Sequence, residues 1–217
     1  MKKLFLASFF SGSASAFPAF AGDCTGKKVA FIPTASLTEK VTFYVGSDRK
    51  ALIKLGMTVE DLEISTASSD EIKEKTAAAD YIFVSGGNTF FLLQELKRTG
   101  ADKLIAAHIE SGKMYIGASA GSMILAPNIE YVKHMDNPGD APELNGDFNA
   151  LGITDFSVVP HCVNFPFKKS AEKIIAQYSD TLDLRSIANN QAVTVDGDKI
   201  EIVTAEEKKK TVKEKKQ

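Results

Sequence analysis

The stretch KMYIGASAGSMIL, Lys113 to Leu125, reads as an apolar strand that breaks into small residues and resumes as an apolar helix. At the break stands G-A-S-A-G, Gly117 to Gly121, with Ser119 at its centre. A serine on so tight a strand-to-helix turn has two readings. It is there for packing, or it is a nucleophile held out on a strained elbow. The alternation around it decides the fold. Upstream, DYIFVSGG (80–87) is a continuous apolar strand running into glycines, followed by the helical patterns NTFFLLQELKRTG (88–100) and ADKLIAAHIESG (101–112). Further back, KKVAFIPTAS (27–36) and MTVEDLEIS (57–65) read as strands. Residues 39–55 read as an amphipathic helix closed by Gly56, and SSDEIKEKTAAA (68–79) as a helix with a Ser cap and an acidic first turn. Apolar strands alternating with helices predict an α/β sandwich in three layers, a mostly parallel sheet covered on both faces. In such sheets ligands bind beyond the carboxyl ends of the strands, where SGGN (85–88) and GASAG both fall.

The start of the chain, MKKLFLASFFSGSASAFPAFAG, carries a basic end, a short apolar run and small residues, as a secretory signal does. It also reads as a buried strand, KKLFLAS, followed by a Ser/Gly loop, and that reading is preferred because losing it would strip a strand from the core. No stretch is long and apolar enough to cross a bilayer as a helix. At 217 residues the chain is expected to form one hydrolytic domain over 1–205, with a charged tail over 206–217. The net charge of −2 offers no electrostatic footprint for nucleic acid or an anionic membrane. The two cysteines, Cys24 and Cys162, lack metal or disulfide-framework spacing, and neither a metal nor another cofactor is expected.

Beyond Gly121 the segment 126–155 is rich in Pro, Gly, Asn and Asp, a length of loop that usually serves function. FSVVPHCVNFPF (156–167) is a strand ending in Pro-His, KKSAEKIIAQYSD (168–180) a helix, and QAVTVDGDKIEIV (191–203) a hairpin around Asp196-Gly197. A serine hydroxyl needs a base to activate it and donors to hold the oxyanion. Of the three histidines, His108 sits within a helix as a packing or surface residue and His134 lies in the long loop. His161 follows a strand directly and is the best-placed base. The Ala120 amide and the glycines of SGGN are the candidate oxyanion donors.

FVSGGNTFFLLQELKRTG, YIGASAGSMILAPNIE and VVPHCVNF resemble, in that order, the peptidase E/cyanophycinase family of serine hydrolases. The resemblance runs from about residue 2 to 203 and implies a flavodoxin-like, class I amidotransferase-like fold. It implies Ser119 as nucleophile, His161 as base, Gly87 with Ala120 in the oxyanion hole, and a cytoplasmic dipeptidase acting on small peptides, Asp-X dipeptides among them. The family's orienting Asp falls on His134 here, so Asp136 is taken as its substitute, with Asp140, Asp147 and Asp155 as rivals. The family's acidic residue before the last strand falls on Asn189 or Asn190, and its substrate-reading arginine has only Lys168 or Lys169 in its place. Asn88, His134 and Lys168 complete the expected substrate contacts. A binding protein that uses the glycine turns as an anion nest is the alternative. An esterase of the α/β-hydrolase type is disfavoured by the short chain and the lack of an HGGG-type loop, and a glutamine amidotransferase by serine where cysteine is needed.

Overall fold

The computed structural model describes residues 1–206. The strands are β1 (Lys3–Ala7), β2 (Lys28–Ile32), β3 (Thr58–Asp61), β4 (Tyr81–Val84), β5 (Met114–Ala118), β6 (Ser157–Val159), β7 (Leu184–Ser186), β8 (Gln191–Asp196) and β9 (Lys199–Thr204). The helices are α1 (Phe10–Ser13), α2 (Phe17–Ala21), α3 (Phe43–Lys54), α4 (Ser69–Ala78), α5 (Thr89–Thr99), α6 (Ala101–Glu110), α7 (Ala120–Met123) and α8 (Lys168–Tyr178). Seven strands form one sheet in the order β3-β2-β4-β5-β1-β8-β9. The first five are mutually parallel, while β8 runs antiparallel to β1 and β9 antiparallel to β8. This is the expected mostly parallel α/β sandwich.

Alternation along each strand sends side chains to two separate apolar layers. Leu4, Leu6, Ala30, Ile32, Ile82 and Val84 face α4 to α8, whose Ile72, Leu93, Ile105, Met123 and Ile174 complete that layer. Phe5, Ala7, Val29, Phe31 and Phe83 face the opposite way, onto Phe10, Phe17 and Leu52 of α1 to α3. The signal-like start of the chain is therefore core. β1 lies between β5 and β8, and Leu4 to Ala7 are fully buried. The FFSGSASAF run that follows is two short helices rather than a loop, with Phe10 and Phe17 packed edge-on against Phe83 and Phe5 at 5.3 and 5.0 Å.

The helix expected from residue 39 begins only at Phe43. Before it, Thr34–Thr38 is a 3₁₀ turn in which Ser36 Oγ donates to Pro33 O and Glu39 N donates to Ser36 O, local bonds that compete with helix growth. The strand expected over 57–65 is paired only over Thr58–Asp61, at the sheet edge. β6 leaves the main sheet and pairs with β7, a three-residue strand the sequence pattern did not signal. The charged tail expected at 206–217 lies, from 207 onward, outside the described residues. Among the described residues no helix is long and apolar enough to cross a membrane.

Candidate active site

Three adjacent parallel strands end side by side and deliver three polar groups to one edge. β1 ends at Ala7 and hands on to Ser8, β4 leads into Ser85-Gly86-Gly87, and β5 leads into Ser119. Because β8 is antiparallel, its amino end lies at the same edge, with Asn189 two residues ahead of it. β6 ends at Val159 and brings in His161. Ser8, Gly86, Gly87, Ser119, His161 and Asn189 line a cavity of about 560 Å³.

Ser119 has φ 49 and ψ −106, a left-handed conformation that a non-glycine residue adopts only when its surroundings impose it. Ser119 N donates to Ala7 O at 3.0 Å and Ser122 Oγ to the same carbonyl at 2.8 Å, pinning the elbow to β1. Gly121 answers for the small residues around it. A Cβ there would stand 2.1 Å from Val84 O, so only glycine lets the helix start pack on β4. A Cβ at Gly86 would stand 3.3 Å from Ser119 Cβ, which places the SGG turn against the serine. Gly87 has φ +134, and a Cβ there would meet Ala35 O at 2.1 Å. Among the described residues, the amides of Gly87 and Ala120 donate to no protein group.

Ser119 Oγ is 3.1 Å from His161 Nε2, and His161 Nδ1 is 2.5 Å from Asn189 Oδ1. An amide oxygen only accepts, so the proton sits on Nδ1 and the Nε2 lone pair faces the serine. His161 takes a positive φ of 60, its amide donates to Ser8 Oγ at 2.9 Å, and its ring stacks on Phe167 at 5.0 Å. Ser8 Oγ also donates to Asn189 Oδ1 at 3.2 Å, and Asn189 N donates to Asn164 Oδ1 at 2.9 Å. Burial pulls the His161 imidazole below its ordinary value of 6.5, opposed by the bond to Asn189.

The acid is where sequence expectation fails. Asp136 does not touch His161: its Oδ2 accepts from Thr89 N at 2.8 Å and Thr89 Oγ1 at 2.6 Å, so the carboxylate caps α5. Burial pushes Asp136 up to about 6, opposed by the Thr89 bonds. The rivals are engaged elsewhere: Asp140 accepts from Asn88 Nδ2 at 2.9 Å, Asp147 pairs with Lys97 at 2.8 Å, and Asp155 is exposed. The position beside His161 belongs to the neutral Asn189. Asn88 lines the cavity, but its amide is taken up within the protein. Its Oδ1 accepts from Phe90 N and Phe91 N, and its Nδ2 donates to Asn137 O and Asp140. It is the N-cap of α5, which replaces the expected substrate contact. His134 Nε2 meets Gln177 Oε1 at 2.7 Å, outside the cavity lining. Lys168 is exposed beside Glu172 at 3.9 Å, also outside the lining. His108 is a packing residue, its Nε2 3.0 Å from Met114 O. Sequence reasoning missed Ser8. The only signal was that it ends a strand at the same edge as Ser119. It also missed Glu39, Tyr44 and Asp48, which carry no motif.

The pattern of peptidase family S51 matches residues 7–203. The chain belongs to peptidase family S51. It is 55% identical over 198 residues to an uncharacterized peptidase of Pasteurella multocida (strain Pm70), covering 91% of this chain and 95% of the relative. It is 33% identical over 150 residues to Peptidase E of Salmonella arizonae, covering 69% of this chain and 62% of that one. A solved structure from Listeria monocytogenes EGD-e, assigned provisionally to peptidase E, superposes with a TM-score of 0.91 at 47% identity over 95% of this chain and all of that one. The S51 chain described here is a serine peptidase, a hydrolase of the peptidase E type.

Proposed function

We propose that this S51 peptidase cleaves short peptides through an acyl-enzyme on Ser119, with His161 as base and Asn189 as the group that orients it. The carrying observation is the unbroken line from Ser119 Oγ to His161 Nε2 at 3.1 Å and from His161 Nδ1 to Asn189 Oδ1 at 2.5 Å. His161 takes the serine proton as Oγ attacks the peptide carbonyl. The oxyanion forms next to the undonated Ala120 and Gly87 amides. His161 then returns the proton to the leaving amine, and water attacks the ester in a second cycle of the same kind. A cavity of about 560 Å³ suits a small peptide. The Asp-X preference implied by the family resemblance has no support in the lining, which includes no lysine or arginine. We place the protein in the cytoplasm on the strength of the family resemblance.

The neutral Asn189 favours one rival reading, a binding protein that kept the elbow without turnover. Intact-mass labelling with a fluorophosphonate, on wild type and Ser119→Ala, separates the two beside a dipeptide panel. One label that vanishes in Ser119→Ala, with turnover of some dipeptides, is the expected result. Labelling without turnover limits the claim to an activated serine. No labelling hands the site to the binding reading.

A further inference from the structure

The cavity beside Ser119 has a charge pattern that the peptidase reading does not use. Four carboxylates line it, Glu39, Asp48, Asp136 and Asp140, and no lysine or arginine does. None of the four takes part in an ion pair among the described residues. Asp48 is 1% exposed. Ser11 N donates to its Oδ1 at 2.8 Å. The Tyr44 hydroxyl is buried with no partner at all. Burial, and after it the charges of Glu39, Asp136 and Asp48, hold that phenol well above its ordinary range. Burial raises Asp48 to about 7 and Asp136 to about 6. Four acidic groups on one cavity, with Asp48 buried and Glu39 and Asp140 exposed and no lysine or arginine among them, favour a cation that offsets them.

The lining suits an organic cation. Among the described residues no three His, Cys, Asp or Glu side chains are grouped to hold a metal ion. The same cavity is also lined by the apolar side chains of Val41, Phe43 and Met135 and by Tyr44. An acidic set rimmed by apolar and aromatic surface matches a flexible aliphatic stem carrying a positive head. An aspartyl side chain would bring a fifth acid to the same space.

We infer that this cavity receives a basic N-terminal residue, so that the preferred substrates are short peptides beginning with lysine or arginine. The inference rests on the Ser119 peptidase reading for the reaction but not for the binding. Both the α-ammonium and the side-chain cation of such a residue find carboxylates here, whereas a leucine brings only one positive charge.

Calorimetry on Ser119→Ala, which removes turnover, tests the binding directly with three amino-acid amides: argininamide, leucinamide and the α-amide of aspartic acid. Argininamide is expected to bind at least tenfold more tightly than leucinamide, and the aspartic amide not to bind at millimolar concentration. Adding Glu39→Gln and Asp48→Asn should bring the arginine-to-leucine ratio close to one. Equal affinity for argininamide and leucinamide, a preference for the aspartic amide, or no binding of any amide at 10 mM, roughly the weak limit of specific recognition, each overturns the inference. On wild type, hydrolysis of Arg-Leu, Leu-Leu and Asp-Leu beside fluorophosphonate labelling reports on the peptidase reading separately. A chain that binds argininamide but is not labelled at Ser119 would sink that reading and leave the basic site standing.

Discussion

Asn189 Oδ1 lies 2.5 Å from His161 Nδ1, in the place where a serine hydrolase usually keeps a carboxylate. The amide holds the ring and its tautomer as an acid would. It lacks the negative charge with which an acid would stabilise the imidazolium expected to form if Ser119 gives up its proton. Burial already disfavours that cation, and Asn189 opposes burial only with a neutral hydrogen bond. The consequence is a base that is free at neutral pH but weak in driving proton transfer.

Replacing Asn189 by Asp restores the charge. With His161 held below 6.5, wild-type kcat/KM is expected to be level at pH 7 and to fall only on acidification below that value. In Asn189→Asp the carboxylate raises the His161 pKa, and the acid limb should move up by about one unit or more. Asn189→Ala should lower kcat by roughly tenfold to a hundredfold through loss of orientation. A pH–rate profile on a good dipeptide substrate checks both. An acid limb that stays in place in Asn189→Asp would separate the amide from the titrating base.

His134 was expected in the substrate loop, where a KM effect would follow from its loss. Its imidazole instead meets Gln177 Oε1 at 2.7 Å and lies edge-on to Tyr178, tying the loop to α8. His134→Ala should therefore leave kcat and KM within about twofold and cost about 1 kcal/mol of stability, the worth of one part-exposed hydrogen bond. Steady-state kinetics and a urea titration read the two effects apart. A rise in KM with stability unchanged would return His134 to the site.

Gly87 gives the sharpest steric test. With φ +134 and a Cβ position 2.1 Å from Ala35 O, Gly87→Ala must displace the SGG turn from the 3₁₀ segment beneath it. Displacing an oxyanion donor should lower kcat by about a hundredfold or more with a smaller change in KM. Fluorophosphonate labelling at Ser119 should persist at a reduced rate, which distinguishes a moved donor from a lost fold. Kinetics within threefold of wild type would remove Gly87 from the oxyanion hole.

How much of this was legible in the sequence depends on the range of the forces involved. β5, the elbow and α5 follow from local pattern, since apolar runs and glycine breaks are decided by neighbours in the chain. The placement of His161 was also legible, because a strand end fixes which edge a residue reaches. Asp136 was misread for the opposite reason. Its partner is the start of α5, 47 residues away, and the hydrogen bonds from Thr89 outcompete any pull toward His161. Ser8 and Asn189 meet at His161 only because β1 sits between β5 and an antiparallel β8. That is a property of strand order, which no local periodicity encodes. The late start of α3 is a similar loss: Ser36 turns the chain back on Pro33, and Glu39 and Val41 become cavity wall instead of helix face.

Asp48 closes the argument because it separates stability from function. The side chain is 1% exposed and burial pushes it up to about 7, against 3.8 for an ordinary aspartate. The folded protein thus holds a proton that the unfolded chain releases, and stability falls as pH rises from about 4 through 7. Asparagine keeps the acceptor for Ser11 N without the charge. Asp48→Asn should gain little at pH 4 and roughly 2–4 kcal/mol at pH 8, seen as a Tm higher by at least about 5 °C. Thermal melts of the two proteins at the two pH values check it. A gain equal at both would mean that the carboxylate is not paying for its burial, and a loss at pH 8 would mean that an unseen partner stabilises it. The expected gain at pH 8, with loss of argininamide affinity in the same protein, is the pattern of a residue kept for its ligand at the expense of the fold.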